Sequence, residues 1–360
     1  MTARKLAAVD LFAGGGGLSL GIGRAAFKVH AAVEVDADAA ETYRKNHPGV
    51  TMIEKDIRKV TGEELLDAVP RRRLFLLAGC APCQGFCSLT RKVKTEDPRN
   101  RLVLEMARLV LETRPKLVIM ENVPGLATRG AKLFGRFIRT LTKAGYVVQW
   151  RVVQMADYGV PQNRKRLVLL AGKGLLVDFP APTHAKRPDE KAKKKLKPWR
   201  TLENAIGDTK SRPVLLGAAK GKRAPRPMNW HVVRDLEERT REQLRAAKPG
   251  GTWLDIDPDL RPECHREGYI GFRNVYGRMR WDQLPVTITA GCTTPAKGRF
   301  GHPTQLRTIS VREAASIQTF PKSYRLATDR IDTACEQIGN AVPPLFAERL
   351  ARAARASLPV

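Results

Sequence analysis

The sequence predicts a doubly wound α/β fold with a smaller, irregular domain inserted before its C-terminal segment. Three observations carry the prediction. In the first half of the 360-residue chain, short β-branched or apolar runs alternate with longer segments whose apolar residues recur at helical spacing. A run of four glycines, Gly14 to Gly17, separates the first such strand from the first such helix. After about Leu175 the alternation stops, and it resumes only as helical patterning near the C-terminus.

The elements follow in order. Leu6–Phe12 reads as a strand, Gly14–Gly17 as a turn, and a helix continues to about Phe27. Val29–Val35 is a second strand and Asp38–Asn46 a helix; further strands are expected at Thr51–Ile53, Leu74–Gly79, Leu117–Glu121, Val147–Val153 and Leu167–Ala171. Leu102–Glu112 and Leu133–Ala144 supply helices between them, and the sheet is expected to be parallel. From Lys186 to Arg226 there are 14 Lys/Arg against four Asp/Glu and no clear periodicity, which suits either a solvated loop or a segment that tracks phosphates. Asp235–Ala247 reads as a short helix and Gly251–Gly301 as irregular; helices return at Ser310–Gln318 and from Pro344 to about Ser357. The expected boundaries are 1–175, 176–305 and 306–360, the last returning to the first domain.

Composition narrows the function. Lys and Arg number 64 against 36 Asp and Glu, a formal charge of +28 that favours a polyanionic partner through counterion release. No stretch approaches the roughly 18 to 20 apolar residues of a membrane span, and Asp10 with the glycine run breaks the short apolar segment a signal peptide would need. Six cysteines, three of them within Cys80–Cys87, do not form a disulfide framework, so an intracellular protein with reduced thiols is expected.

Four constellations carry chemistry. In Asp10-Leu11-Phe12-Ala13-Gly14-Gly15-Gly16-Gly17 the glycines allow close backbone approach of a ligand, and Glu34, 20 residues beyond Gly14, ends the second strand where a carboxylate meets ribose hydroxyls. Ser19 stands where a dinucleotide fingerprint has its third glycine, which leaves an adenosine-containing cofactor and a plain turn both open. Gly79-Cys80-Ala81-Pro82-Cys83-Gln84-Gly85-Phe86-Cys87-Ser88 follows the fourth strand. Its cysteines lack a second ligand pair at zinc spacing, so no metal is expected. Cys83, between Pro and Gln in a turn at a strand's carboxyl end, suits a nucleophile, whereas Cys80 and Cys87 suit small buried thiols. Met120-Glu121-Asn122-Val123-Pro124 ends the fifth strand. Adjacency of strands brings Glu121 near Cys83, as a proton donor or as a merely solvated carboxylate. In Gln162-Asn163-Arg164-Lys165-Arg166, extended backbone would project both arginines to one side, for a phosphate, a base edge or a plain basic strand edge.

Together with Gln337-Ile338-Gly339-Asn340-Ala341-Val342-Pro343-Pro344 and Thr308–Pro321, these co-linear blocks resemble the DNA (cytosine-5)-methyltransferase family of bacterial restriction-modification type over about residues 5–172 and 306–356. The resemblance implies a Rossmann-like domain using S-adenosylmethionine, with the intervening region as target-recognition domain. It implies that Cys83 adds to C6 of cytosine, that Glu121 holds N3 and the 4-amino group, that Arg166 contacts the O2 edge, and that Arg164 supports the active-site loop or a phosphate. It also implies that Phe12, Gly14, Gly17 and Pro82 border the cofactor, Glu34 takes its ribose, Asp56 and Ile57 read its adenine, Leu102 packs on that ring, and Asn340 and Ala341 meet its methionine end. Val35 departs from the pattern, since many relatives carry an aromatic there. The basic loop Arg91, Lys92 and Lys94, between Gly85 and Pro98, would close over DNA, the base being reached by flipping. Arg273, Asn274, Arg278, Arg280 and Thr293 are candidates for base contacts.

The expected partners are double-stranded DNA and a cognate restriction endonuclease acting on the same site, with no membrane and no metal; the enzyme is expected in the cytoplasm, as a monomer. Two alternatives stay open, a tRNA cytosine-5-methyltransferase of the same fold and a catalytically silent DNA-binding relative. An adenine or cytosine-N4 methyltransferase would need an Asp/Ser/Asn-Pro-Pro-aromatic motif, which this sequence lacks.

Overall fold

Leu6–Leu11 (β1) is buried from its second residue onward, as expected of a strand covered on both faces, and it lies third in a seven-stranded sheet, next to the central strand. The computed structural model describes residues 5–82, 86, 97–189, 195–209, 211–216, 230–266 and 272–359. Around β1 stand Phe27–Val33 (β2), Thr51–Ile53 (β3), Leu76–Gly79 (β4), Leu117–Asn122 (β5), Tyr146–Gln154 (β6) and Lys165–Lys173 (β7), in the order β3-β2-β1-β4-β5-β7-β6. The pairings from β3 through β5 are parallel.

β7 departs from the expected parallel sheet: it runs antiparallel to both β5 and β6. Only residues 155–164 link β6 to β7, too few for the helical crossover of about a dozen residues that a parallel return requires.

Helices cover both faces. Gly17–Arg24 (α1) and Ala37–Asn46 (α2) lie on the face that carries Ala8, Asp10 and Ala32; Asp36 caps α2, accepting the Ala39 N–H at 2.7 Å. Gly62–Asp67 (α3), Leu102–Thr113 (α4) and Ala131–Lys143 (α6) bury apolar residues against the opposite face, with Val9, Leu11, Leu77, Val118 and Met120. Between β5 and α6 sits the four-residue helix Gly125–Thr128 (α5). The closing helix Pro344–Ala356 packs on α1 where Gly21 leaves room; a Cβ there would strike the Pro344 carbonyl and Ala347. α1 ends at Arg24 instead of Phe27, because Ala26 takes a positive φ of 63° and Phe27 already begins β2.

By packing, residues 1–158, 165–183 and 342–360 form one compact unit and residues 159–164 and 184–341 a second. Segment 306–341, expected to return to the first domain, thus packs inside the second unit. That unit contains short elements: helices Leu202–Ile206, Glu238–Ala246, Val311–Ile317 and Ile331–Asn340, and the two-stranded pair Val214–Leu216 with Val232–Arg234. Its segments are joined by polar side chains. Arg307 forks onto both carboxylate oxygens of Glu313 at 2.7 and 2.8 Å, and Glu313 closes a capping box with Ser310.

Candidate active site

The carboxyl edge of the sheet gathers the predicted residues of the first unit. Strand order puts Asp56 beyond β3, Glu34 beyond β2, Phe12 and Gly14 beyond β1, Pro82 beyond β4 and Glu121 at the end of β5. In open α/β sheets this edge is where ligands bind.

The glycine loop is shaped by its backbone. Phe12, Gly14 and Gly16 all take positive φ (57°, 53° and 91°), and Gly16 opens α1, whose first residue, Gly17, is buried. Glu34 ties this loop to β2: one carboxylate oxygen accepts the Gly14 N–H at 2.7 Å, the other the N–H groups of Val35 and Asp36 at 2.8 and 2.9 Å. A carboxylate has about four acceptor positions, so Glu34 keeps capacity for a hydroxyl. A Cβ on Gly14 would meet nothing within 4 Å, so the loop leaves open space beside it. These features fit a ribose-bearing cofactor. Asp56 caps the short turn Ile57–Lys59 and pairs with Arg58, whose hydrogen bonds hold its carboxyl down at about 2; Ile57 is buried. Leu102 opens α4 directly after the turn Pro98–Arg101.

Sheet register sets a second row on one face. Gly79 pairs with Leu11 and Met120, and Ala78 with Asp10, so Asp10, Cys80 and Glu121 share a face at the carboxyl edge. Glu121 stands opposite Val168 of β7, which brings Arg166 to the same face. Arg166 Nε lies 3.1 Å from Glu121 Oε1, with the two side chains 16% and 9% exposed. The Cys80 thiol is pushed well above its ordinary pKa by burial first, then by the carboxylates of Glu121 and Asp10, in keeping with an inert thiol. Asn122 donates to the Ala81 carbonyl at 3.0 Å. Cys83 lies outside the described residues, as do Gln84, Gly85, Cys87, Arg91, Lys92 and Lys94; Pro82 and Phe86 are its described neighbours in sequence.

Sequence reasoning gave Asp10 no role of its own. It is fully buried, accepts from Ser19 Oγ at 2.6 Å, and Ser19 in turn lies 2.7 Å from Tyr43 Oη. Burial, opposed by the Ser19 bonds, pushes its carboxyl up to about 7. An acid near a strand's carboxyl end is visible in the motif, but its burial is not.

The expectation that Arg164 and Arg166 project together fails, because β7 begins only at Lys165 and the alternation with it. Arg164 belongs to the second unit. It is buried and donates to the carbonyls of Ile288 at 3.0 Å and of Gly339 and Ala341 at 3.3 Å, so it supports loops and is withdrawn from phosphate. Gln162 joins the same network, donating to Gln318 Oε1 at 2.7 Å and accepting the Ile288 N–H at 2.9 Å; the sequence placed Gln162 in the motif without a role and did not single out Gln318. Asn340 ends its helix exposed, and the Ala341 carbonyl also accepts from Gln318. Of the base-contact candidates, Arg273 and Asn274 are exposed. Arg278 instead holds the carbonyls of His302 and Pro303, Arg280 pairs with Asp282, and Thr293 is fully buried beside Cys335. Among the described residues, no cluster of three or more His, Cys, Asp or Glu could hold a metal ion, and no helix is long and apolar enough to cross a membrane.

A sequence profile of the C-5 cytosine-specific DNA methylase family matches residues 6–355. Type II methylase M.HgiDII of Herpetosiphon aurantiacus is 38% identical over 352 residues, covering 96% of this chain and 94% of its own. Type II methyltransferase M1.HphI of Haemophilus parahaemolyticus is 32% identical over 353 residues, covering 97% and 86%. Among solved structures, a DNA modification methyltransferase encoded within an E. coli prophage matches with a TM-score of 0.75 at 22% identity, covering 98% of this chain and 99% of that one. DNMT2 of Spodoptera frugiperda matches at 0.64 and 17%, covering 98% and 100%; both structures speak for the fold. The chain belongs to the C-5 cytosine-specific DNA methylase family and is a DNA cytosine-5-methyltransferase.

Proposed function

We propose that the enzyme methylates C5 of a cytosine within a short double-stranded DNA sequence, through a covalent bond between Cys83 and C6 of a flipped-out base. The observation that carries this reading is the Glu121–Arg166 pair at the carboxyl edge, on the strand beside the one that leads into Cys83. C5 of cytosine is a poor nucleophile, and a soft thiolate that adds to C6 and later leaves by elimination activates it. Glu121 holds the proton at N3 and accepts from the 4-amino group, so that the charge displaced by Cys83 has a place to go. Arg166 orients Glu121 and meets the O2 edge. Expulsion of Cys83, once the C5 proton is lost, restores the aromatic ring.

Phe12, Gly14, Gly17, Glu34, Asp56, Ile57, Pro82 and Leu102 would hold S-adenosylmethionine. When bound, it supplies an electrophilic methyl carbon on a sulfonium. The net charge of +28 supports a duplex partner held through phosphates, and the Type II naming of the relatives supports a restriction endonuclease acting at the same site. A cytoplasmic enzyme working on chromosomal DNA is the matching location.

The test is transfer of labelled methyl groups to unmethylated genomic DNA and, separately, to bulk tRNA, with Cys83→Ser in parallel. Label at C5 in one short DNA motif, lost in the variant, upholds the reading. Label in tRNA alone overturns the substrate, and label in neither, with cofactor still bound, makes the protein a silent reader.

A further inference from the structure

The segment carrying Glu121 also holds described residues on either side of Cys83, Ala81 upstream and Phe86 downstream. Upstream, the Asn122 amide donates to the Ala81 carbonyl at 3.0 Å, its own oxygen being fixed by the Val123 N–H at 2.8 Å. Downstream, Arg129 Nη2 donates to the carbonyl of Phe86. Gly125 and Gly130 form a notch around this residue: a Cβ on Gly125 would strike the Phe86 carbonyl, and one on Gly130 would stand 2.9 Å from the Phe86 ring. The ring packs, partly buried, on the core cluster that includes Leu126 and Phe134. The brace is continuous, because the Gly130 N–H bonds to the Gly125 carbonyl at 3.1 Å and the Phe134 N–H to the Gly130 carbonyl at 2.9 Å.

We propose that Arg129 is a positioning residue for the methyl-transfer reaction, latching the Phe86 carbonyl so that the turn bearing Cys83 is held at its downstream end as Asn122 holds its upstream end. The proposal rests on the reading of Cys83 as nucleophile. An exposed guanidinium alone would hold a carbonyl weakly; here it acts on a residue whose ring is already seated in the core. Misplacing a nucleophile by about 1 Å costs on the order of a hundredfold in rate, so a modest latch has a large kinetic readout.

The experiment compares wild type with Arg129→Ala, Arg129→Lys and Gly125→Ala. It measures Tm, S-adenosylmethionine Kd, KM for a duplex bearing the target site, kcat, and the rate of covalent trapping on the same duplex carrying 5-fluorocytosine. Arg129→Ala is expected to leave Tm unchanged and both Kd and KM within about twofold, while kcat and the trapping rate fall together by about tenfold. Arg129→Lys, which keeps one charged donor, should recover part of that loss, and Gly125→Ala, which intrudes on the Phe86 carbonyl, should reproduce it. Trapping by Arg129→Ala at the wild-type rate overturns the latch alone. Failure of wild type to trap overturns the nucleophile reading, and the latch with it.

Discussion

Arg166 Nε lies 3.1 Å from Glu121 Oε1, in a setting where neither side chain is more than about one-sixth exposed. The pair spans β5 and β7, with Glu121 near the carboxyl end of β5 and Arg166 near the start of the antiparallel β7. The reversal of β7 makes it possible. Because β7 begins at the carboxyl edge, its first turn-proximal arginine enters the site, whereas a parallel strand would start at the far edge.

From this pair follows the first prediction. Arg166→Ala leaves the buried Glu121 carboxylate without its cation, and kcat should fall by about a hundredfold, as for loss of one preorganised charge partner in an enclosed site. Arg166→Lys should recover only part, since a point charge does not reproduce the guanidinium plane. Steady-state kinetics on a target duplex, with cofactor Kd measured alongside as a control, checks it.

The Asp10 carboxyl, pushed up to about 7 by burial, links stability to pH. Its unfolded value is near 3.8, so between these limits the folded state holds a proton the unfolded state has lost. Stability therefore decreases as pH rises through that window, by up to about 4 kcal/mol in total, with the full deficit present from about pH 7 upward and none below about pH 4. Asp10→Asn removes the titration. Its Tm should gain on wild type from pH 5 to about pH 7 and level off above; a constant difference between pH 5 and pH 7 contradicts the assignment. The groups facing Asp10 are Ser19, Glu34 and Cys80, with Tyr43 behind Ser19.

Arg164 illustrates a different dependence. Arg164→Ala would strip a donor from the carbonyls of Ile288, Gly339 and Ala341, at a cost of about 3 kcal/mol or more for buried acceptors left unpaired. Arg164→Lys should be nearly as harmful, because three carbonyls in different directions need the fork. Chemical denaturation of both variants, read as a shift in midpoint at constant slope, tests this.

Among the base-contact candidates, Arg273 stands exposed beside Asn274 and Phe272, while the Phe272 carbonyl accepts from Trp253 Nε1 at 3.1 Å and Val275 is buried at the base of the same segment. Arg273→Ala should cost about 1–3 kcal/mol in discrimination at one base position while leaving cofactor binding intact. The check is methylation of a library of near-cognate duplexes. A uniform loss across all sequences would make Arg273 a phosphate contact.

What was legible in the sequence depended on locality. The glycine run, Glu34 and the Glu121–Asn122 segment lie at strand ends, where a few adjacent residues determine both the turn and the chemistry, and each stands at the carboxyl edge. The direction of β7 was not legible from its own residues, only from the length of the link before it. Arg164 was misread because two arginines two apart share a face only if the strand has already begun. The helix Ile331–Asn340 went unforeseen although Ile331, Ala334, Cys335 and Ile338 are buried in it at helical spacing; the stripe is short, and Gln337 and Gly339 are buried beside it. Its partners, Arg164 and Gln318, lie far off in sequence.

The central claim is the covalent bond from Cys83 to C6. Its most direct test is to incubate enzyme, S-adenosylmethionine and a target duplex carrying 5-fluorocytosine, digest the complex, and locate the cross-linked peptide by mass spectrometry. The account predicts one DNA-linked peptide, containing Cys83, and none from Cys83→Ser. Normal 5-methylcytosine formation on unmodified DNA, with no linked peptide or with the link on another residue, would contradict it.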